Sequence, residues 1–478
     1  MSINTDKDSD LALTESHLMS IRDAVKGSPF VKEKRTTYLK NPNQLTDDTY
    51  NAYIDRAEFD GFTNQTLTSM LGRMKINDMT ADLGSIDYIV QDADGNGLSL
   101  EGSIECAAKN ILQAKWQIAV VDYRGLTGVD VNSLSAQDLE DANARPVIKQ
   151  YTRESVLKRY FSVVNGVKQL SFLMLHEQQE ELNQFSFQKE TVDTYLILAL
   201  DEDGNYYQQK IIDGDNGQEV GEREIITINN EPLKFIPAVI LSDTEVENEL
   251  PLSFGFLSPI SDICYYRYGI SAEYKYYLSR LAPTINIMGM TEHDQEVFQS
   301  VNGRKFYAIG GVNQFGNPET NITIDGIEGK TQPYEKYMSD SEDKARSLGA
   351  VIPSDSTAKT ATEVGINYAE QNAVLNPLVN NLESGYKWLI SYCAMFDGVT
   401  SVDSVDDYVN DVDIDMARDF ETVVLDPQVP AALSGLVMSG LETKRGAVET
   451  LIKLGWSQGD AETKVSELIN EPPPITIV

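Results

Sequence analysis

The chain has 478 residues, a length that fits two to four domains. Its 74 acidic and 39 basic residues leave a formal charge of −35. That balance is the reverse of what a protein needs to wrap nucleic acid by neutralising phosphates. Cys106, Cys264 and Cys393 are odd in number and far apart, the pattern of reduced thiols rather than of a disulfide framework. Met1–Leu13 is polar and Asp-rich, unlike a secretory signal. No apolar run approaches the roughly 20 residues needed to span a bilayer, so the expectation is a soluble, intracellularly made protein without a membrane anchor.

In chain order, residues 1–15 read as a disordered tail. Helices are predicted over Ser16–Lys26, Asp47–Asp60 (after a Thr46-Asp47 cap), Phe62–Arg73 and Ser103–Ala114, the last entering a buried strand at Trp116–Asp122. From Pro146 to Ile240 the apolar period changes to two. Strands are predicted at Val147–Thr152, Val156–Val163, Leu170–His176, Tyr195–Leu200 and Tyr206–Ile212. The turn signals Asn165-Gly166, Asp203-Gly204-Asn205 and Asp213-Gly214-Asp215-Asn216-Gly217 separate them, as in antiparallel hairpins.

A long tyrosine-rich helix follows, over Pro259–Leu281 and roughly 35 Å long. Ser258-Pro259 signals its start and Ala282-Pro283 its stop. Ile263, Tyr266, Ile270, Tyr274, Tyr277 and Leu281 recur at steps of three and four, which predicts one packed face. Next comes a small α/β insert, with strands at Thr284–Met288, Lys305–Ile309 and Ile322–Ile324 and a helix around His293–Val301. Thr331–Leu348 is a second helix, stopped by Gly349. A loop, Ala350–Lys359, leads to a capping box at Thr360 and Glu363 and a third long helix towards Met395. Val364, Tyr368, Leu375, Leu378, Leu382, Tyr386, Leu389 and Cys393 stripe that helix, and Pro377 is expected to kink it. Val429–Asn470 reads as short helices and Glu471–Val478 as extended chain. The whole is α+β.

Motifs for chemistry fail at their essential positions. Asp92-Ala93-Asp94-Gly95-Asn96-Gly97 begins like a calcium loop, but the position for a bidentate glutamate holds Ser103. Gly329-Lys330-Thr331 ends like a phosphate-binding loop, but Ile324 stands where the first glycine is required. His17, His176 and His293 have no ligand-spaced companions, and Asp403–Asp415 reads as a solvated acidic edge. No catalytic residue, metal ligand or cofactor is assigned.

Several tracts, in this order, resemble the portal proteins of tailed double-stranded DNA bacteriophages, in a branch often described only as a domain of unknown function. They are HLMSIRDAVKGSPFVKEKRTTYL, YNAYIDRAEFDGFTNQTLTSMLGRM, DADGNGLSLEGSIECAAKNILQAKWQIAVVDYRG, ARPVIKQYTRESVLKRYFSVVNGVKQLSFLMLHE, EPLKFIPAVIL and LSPISDICYYRYGISAEYKYYLSRLAPTINIMG, followed by the helix at Thr360–Phe396. The resemblance spans roughly residues 15–470. One departure is Lys158-Arg159-Tyr160, where the branch commonly has a tryptophan-containing turn.

The resemblance implies a portal fold with wing, stem helices, α/β clip and α-helical C-terminal crown. After the tail 1–15, residues 16–250 would form the wing, 251–282 and 333–349 the stem helices, and 283–332 the clip. Residues 350–359 would form the tunnel loop, 360–426 the long wing helix with return strands, 427–471 the crown, and 472–478 an extended tail. Expected stem residues are Ile270, Tyr274, Tyr277, Lys344 and Arg346; Arg304 and Lys305 would belong to the docking face of the clip. Pro353, Ser354, Asp355, Ser356, Thr357 and Lys359 would face the DNA channel. The implied role is non-enzymatic: a ring, usually of twelve subunits, at one capsid vertex of the virion, assembled in the host cytoplasm. It would conduct double-stranded DNA in packaging and ejection, and its partners would be the terminase large subunit, a tail adaptor, and major capsid and scaffolding proteins. The alternatives are another virion component, such as a tail adaptor or minor capsid protein, and an acidic carboxylate-metal enzyme.

Overall fold

Glycine and polar caps set the element boundaries of the N-terminal third. The helices α1 (Ser9–Lys26) and α2 (Ser28–Glu33) are divided by Gly27, whose φ of 93° lies in the left-handed region that favours glycine. Two further helices follow, α3 (Asp47–Arg56) and α4 (Phe62–Leu71), then a short strand β1 (Ile76–Thr80) and α5 (Leu100–Ala114). Ser99 Oγ accepts the Gly102 N–H at 3.1 Å, so α5 starts before the Ser103 expected from the sequence. This is a computed structural model, and it describes residues 3–42, 45–74, 76–80, 83–123, 145–164, 166–182, 187, 189–214, 217–229, 231–244, 250–280, 284–288, 306–309, 321–325, 331–350, 361–416, 433–434, 437, 439 and 443–453.

The disordered tail expected over residues 1–15 is corrected for its described part. Helix α1 already begins at Ser9, and residues 3–8 precede it without regular secondary structure. The Asp8 N–H donates to the Leu157 carbonyl at 2.8 Å, Asp10 pairs with Arg159 at 2.7 Å, and Leu11 is buried. Composition alone reads such a stretch as solvated, but its charges have partners far along the chain.

Buried β2 (Trp116–Tyr123) is the middle strand of an antiparallel trio, between β3 (Pro146–Tyr151) and a strand from much later in the chain. Then comes a meander: β4 (Val156–Val164), β5 (Val167–Leu182), β6 (Lys189–Leu200), β7 (Tyr206–Gly214) and β8 (Gly217–Val220), hydrogen-bonded in that order. Gly166, Gly204 and Gly217, all at positive φ, stand at the predicted turns. Small strands β9 (Glu224–Ile225), β10 (Thr227–Ile228) and β11 (Glu231–Pro232) lead to β12 (Ala238–Ser242), which completes the trio beside β2. Strands β5 and β6 are longer than the apolar alternation predicts. Their polar ends, Glu177–Leu182 and Lys189–Thr194, pair with each other and form a ribbon projecting from the sheet.

The remaining elements are α6 (Ser258–Arg280), strands β13 (Thr284–Met288), β14 (Phe306–Ile309) and β15 (Asn321–Asp325), α7 (Gln332–Ser347) and α8 (Ala361–Asp397). Helix α9 (Val405–Asp411), strand β16 (Asp413–Met416) and α10 (Lys444–Lys453) follow, β16 pairing with β1. Helix α8 continues through Pro377. Gly349 ends α7 at φ 80°, and the Ala350 N–H returns to the Ala345 carbonyl at 3.0 Å.

The largest core gathers α1, α3, α4, α5, α6 and α8; Leu375, Leu378, Leu382, Tyr386, Leu389 and Cys393 are all fully buried in it, as their spacing predicts. Gly385 lets α8 approach β12 closely, since a Cβ there would collide with Leu241 Cδ2. A second core lies between the meander and the β2 sheet, around Trp116, Leu173, Leu198 and Tyr206. The opposite, outer face of the meander carries a smaller cluster of Leu157, Met174, Ile197 and Ile211, against which Ile3 packs. The segment 3–8 therefore straps this face. It runs from the Leu157 carbonyl on β4 to Gln218 on β8, where the Ile3 N–H donates to Oε1 at 2.9 Å.

Candidate functional site

The feature on which a functional reading turns is the pair α6 and α7, with the β13–β15 sheet inserted between them in sequence. Residues that touch across the pair run in opposite directions: Tyr266 meets Tyr337 at 4.9 Å between centroids, and Tyr274 meets Tyr334 at 5.5 Å. The helices are antiparallel. Helix α6 feeds β13, which lies parallel to β14 and antiparallel to β15, and β15 leads back to α7. At 23 and 16 residues the rods are roughly 35 and 24 Å long.

Arg267 locks the rods to the body. It is only 5% exposed; its Nε–H donates to Asp60 in the loop between α3 and α4, and its Nη1 donates to the Met338 carbonyl and, at 2.8 Å, to Ser341 Oγ on α7. The guanidinium also lies over the Phe62 ring, 5.1 Å from its centroid. Three elements converge on one planar cation, whose fork satisfies several acceptors at fixed angles. The same loop grips α6 twice more: Glu58 pairs with Lys275, and its N–H donates to Ser271 Oγ at 3.0 Å.

A second buried arginine anchors the entry to α6. Arg153 donates to the carbonyls of Ser253 at 2.6 Å, Leu252 at 2.9 Å and Ala114 at 3.1 Å, and to Thr14 Oγ1 at 3.0 Å. It sits between the Trp116 and Phe254 rings. Gly255 allows this segment to lie against α5, because a Cβ there would strike the Leu112 carbonyl. At the start of α6 itself, His17 Nε2 and Ser258 Oγ are 2.9 Å apart.

The stripe predicted for α6 is corrected in part. Its core face is Ile260, Ile263, Cys264, Tyr268 and Ala272, so Ile263 is buried as predicted, whereas Tyr266 is 58% exposed, Ile270, Tyr274 and Tyr277 are half-buried, and Leu281 lies outside the described residues. The tyrosines form the seam with α7: Tyr274 and Tyr277 both lie near Tyr334, and the Tyr274 hydroxyl donates to Glu335 at 3.2 Å. Partial burial and that carboxylate push the Tyr274 phenol up. Helix α6 therefore packs on two sides, which a single-stripe reading cannot express. Arg267 was missed because an arginine inside an apolar period looks like an interruption; Asp60, just ahead of α4, is visible as its partner only in three dimensions.

Of the other predicted residues, Lys344 is exposed near the end of α7. Arg346 is occupied by its own helix, paired with Glu342 and, at 3.5 Å, with Asp343. Arg304, Lys305, Pro353, Ser354, Asp355, Ser356, Thr357 and Lys359 lie outside the described residues, as do His293, Thr360 of the capping box, the side chains of Glu363, Val364 and Tyr368, and most of the expected crown. The acidic loop at 92–97 is self-contained: Asp94 Oδ1 accepts the Asn96 and Leu98 N–H groups, Asp92 accepts the Gly97 N–H, and Asp92 also pairs with Arg145. Among the described residues no group of three or more His, Cys, Asp or Glu is placed to hold a metal, and no helix is long and apolar enough to cross a membrane.

These elements define the chain as an α+β protein whose layered body carries a two-helix hairpin with a separate small sheet. No family model and no curated protein matches the sequence. Among solved structures, a chain from a structure described as "Virion of native gene transfer agent (GTA) particle" aligns over 89% of this chain and 98% of its own, at 10% identity and a TM-score of 0.37. A likeness at that level defines neither a shared fold nor a shared role.

Proposed function

We propose that this chain is the subunit of a portal: a non-enzymatic ring at one vertex of a phage-like capsid through which duplex DNA enters and leaves. The observation that carries the reading is the antiparallel pair α6 and α7, locked to the body by Arg267 and bearing the β13–β15 sheet. Rods braced against the body along one side and leading into a small sheet are what a channel wall with a docking tip needs. The body would be the wing, the pair the stem, the small sheet the clip, and residues 350–359 the loop facing DNA. The order of sequence tracts that resembles portals supports the same assignment.

The charge of −35 fits conduction better than capture. Duplex DNA carries one phosphate charge per roughly 1.7 Å of axis, and a cationic wall would hold it through counterion release. A predominantly acidic wall repels it and eases sliding. Energy for packaging would come from a partner ATPase docked at the clip, with a tail adaptor seated there later. Negative-stain electron microscopy of the purified protein tests the reading. Rings with a central hole wide enough for duplex are expected, and a lone globule under all conditions would end it.

A further inference from the structure

The outer face of the meander carries an open groove of about 560 Å³. Phe172, Ala199 and Tyr207, in register across β5, β6 and β7, floor it. One wall is the β4–β5 hairpin, which runs on past the terminal β5–β6 pair at Phe172↔Ala199. A β-bulge shapes that wall: Ser171 is the extra residue between the pairs Tyr160↔Phe172 and Phe161↔Leu170, and its hydroxyl donates to the Tyr160 carbonyl at 3.2 Å. Bulges re-aim side chains. Phe161 and Leu170 pack on the core between the sheets, while Tyr160 lines the groove and is 64% exposed. The other wall, the β6–β7 turn, is acidic. Asp201 is occupied by the turn itself, accepting the Asp203 and Asn205 N–H groups at 2.9 and 2.7 Å, but Glu202 and Asp203 are exposed along the groove. No basic residue lines it. The cations nearby are engaged: Lys234 donates to Asn205 Oδ1 at 2.6 Å and Lys158 to the Asn4 carbonyl at 2.8 Å, and Arg223 lies over the Tyr207 ring, 4.9 Å from its centroid.

We propose that this groove receives an arginine side chain presented by a basic segment of a partner protein, its guanidinium held between the Tyr160 ring and the carboxylates of Glu202 and Asp203. Ring and charge select the same group. An aromatic face attracts a cation within about 6 Å of its centroid, and carboxylates accept the planar guanidinium fork at fixed angles. The chain already seats one guanidinium on this row, that of Arg223 on Tyr207. Sites for free small ligands enclose most of the ligand surface. This groove is open, so the cation arrives attached to a larger body that adds contacts of its own. A chain of charge −35 also draws basic partners towards it. The groove is complete within one chain, so the inference holds with or without the portal reading.

Titration calorimetry of the full chain with a Gly-Arg-Arg-Gly peptide, blocked at both ends, tests the site. Saturable binding at one site per chain is expected. Tyr160→Leu is expected to weaken it about threefold or more, with Tyr160→Trp retaining it. The exposure of Tyr160 lets both variants keep the fold. Glu202→Gln combined with Asp203→Asn is expected to weaken binding as well, and a Gly-Lys-Lys-Gly peptide to bind less tightly than its arginine counterpart. Equal affinity in the wild type and Tyr160→Leu would mean diffuse attraction to an acidic surface and would overturn the proposal, as would the absence of saturable binding. Argininamide binding as tightly as the peptide would make this a site for a free small cation, and would overturn the partner.

Discussion

Arg267 on α6 and Asp60 in the α3–α4 loop form an ion pair near the middle of α6, and the same guanidinium reaches the Met338 carbonyl and Ser341 on α7. One guanidinium thus ties both helices of the hairpin to the α3–α4 loop.

Replacing Arg267 by Met removes a cation that is 5% exposed and leaves Asp60 without it. Breaking a pair of this kind costs about 3–5 kcal/mol. Urea denaturation is expected to show a loss of that size, with faster amide exchange over Gln332–Ser347. Arg267→Lys is not expected to restore protection, because a point charge cannot serve the three acceptors together.

Gly385→Ala places a methyl against Leu241 where α8 crosses β12. Overpacking of a filled core costs about 1–3 kcal/mol. The double variant with Leu241→Ala removes the collision, so the two changes are expected to be less than additive in a double-mutant cycle. Strict additivity would mean that the helix and strand do not meet there.

Acid sensitivity is expected from Glu154 and Asp10. Burial pushes the Glu154 carboxyl up, but the hydrogen bond and charge of Arg22 outweigh it and hold it below the usual 4.5. The hydrogen bond from Arg159 is the main cause that lowers Asp10 below 3.8. A depressed folded-state pKa contributes stability that is complete above the unfolded value and lost as pH falls through the folded one. Melting temperature is therefore expected to fall below about pH 4.5, and less steeply in Glu154→Gln than in the wild type. Equal slopes would remove the Arg22 contact from the account.

Ile270→Pro interrupts α6 near its middle, removing a backbone donor and crowding the preceding turn at a cost of about 3 kcal/mol or more. Under the portal reading the variant is expected to fold its body and fail to form rings. Intact rings by electron microscopy would take α6 out of the channel wall.

The meander was legible because Asn-Gly and Asp-Gly turns punctuate strands of alternating character, and Gly166, Gly204 and Gly217 adopt the positive φ those turns require. The buried face of α8 was legible from spacing alone, since Leu378, Leu382 and Leu389 touch one continuous core. The polar ribbon was not: Glu177–Leu182 has no apolar period, and it is a strand only because Lys189–Thr194 pairs with it. The α6 stripe was displaced because tyrosine serves either a core or a seam, and Tyr268 took the first place while Tyr274 and Tyr277 took the second. Arg267 and Arg153 escaped because their acceptors, Asp60 and the Ser253 carbonyl among them, are assembled only by the fold.

The strap formed by residues 3–8 has a practical bearing on handling the protein. Ile3 ends beside Gln218, across the meander from where Asp8 meets Leu157. Bulk introduced beside Ile3 would sit at the β8 margin and compete with Ile3 for its place on the outer-face cluster. A change there would then report on a loosened sheet rather than on the native one.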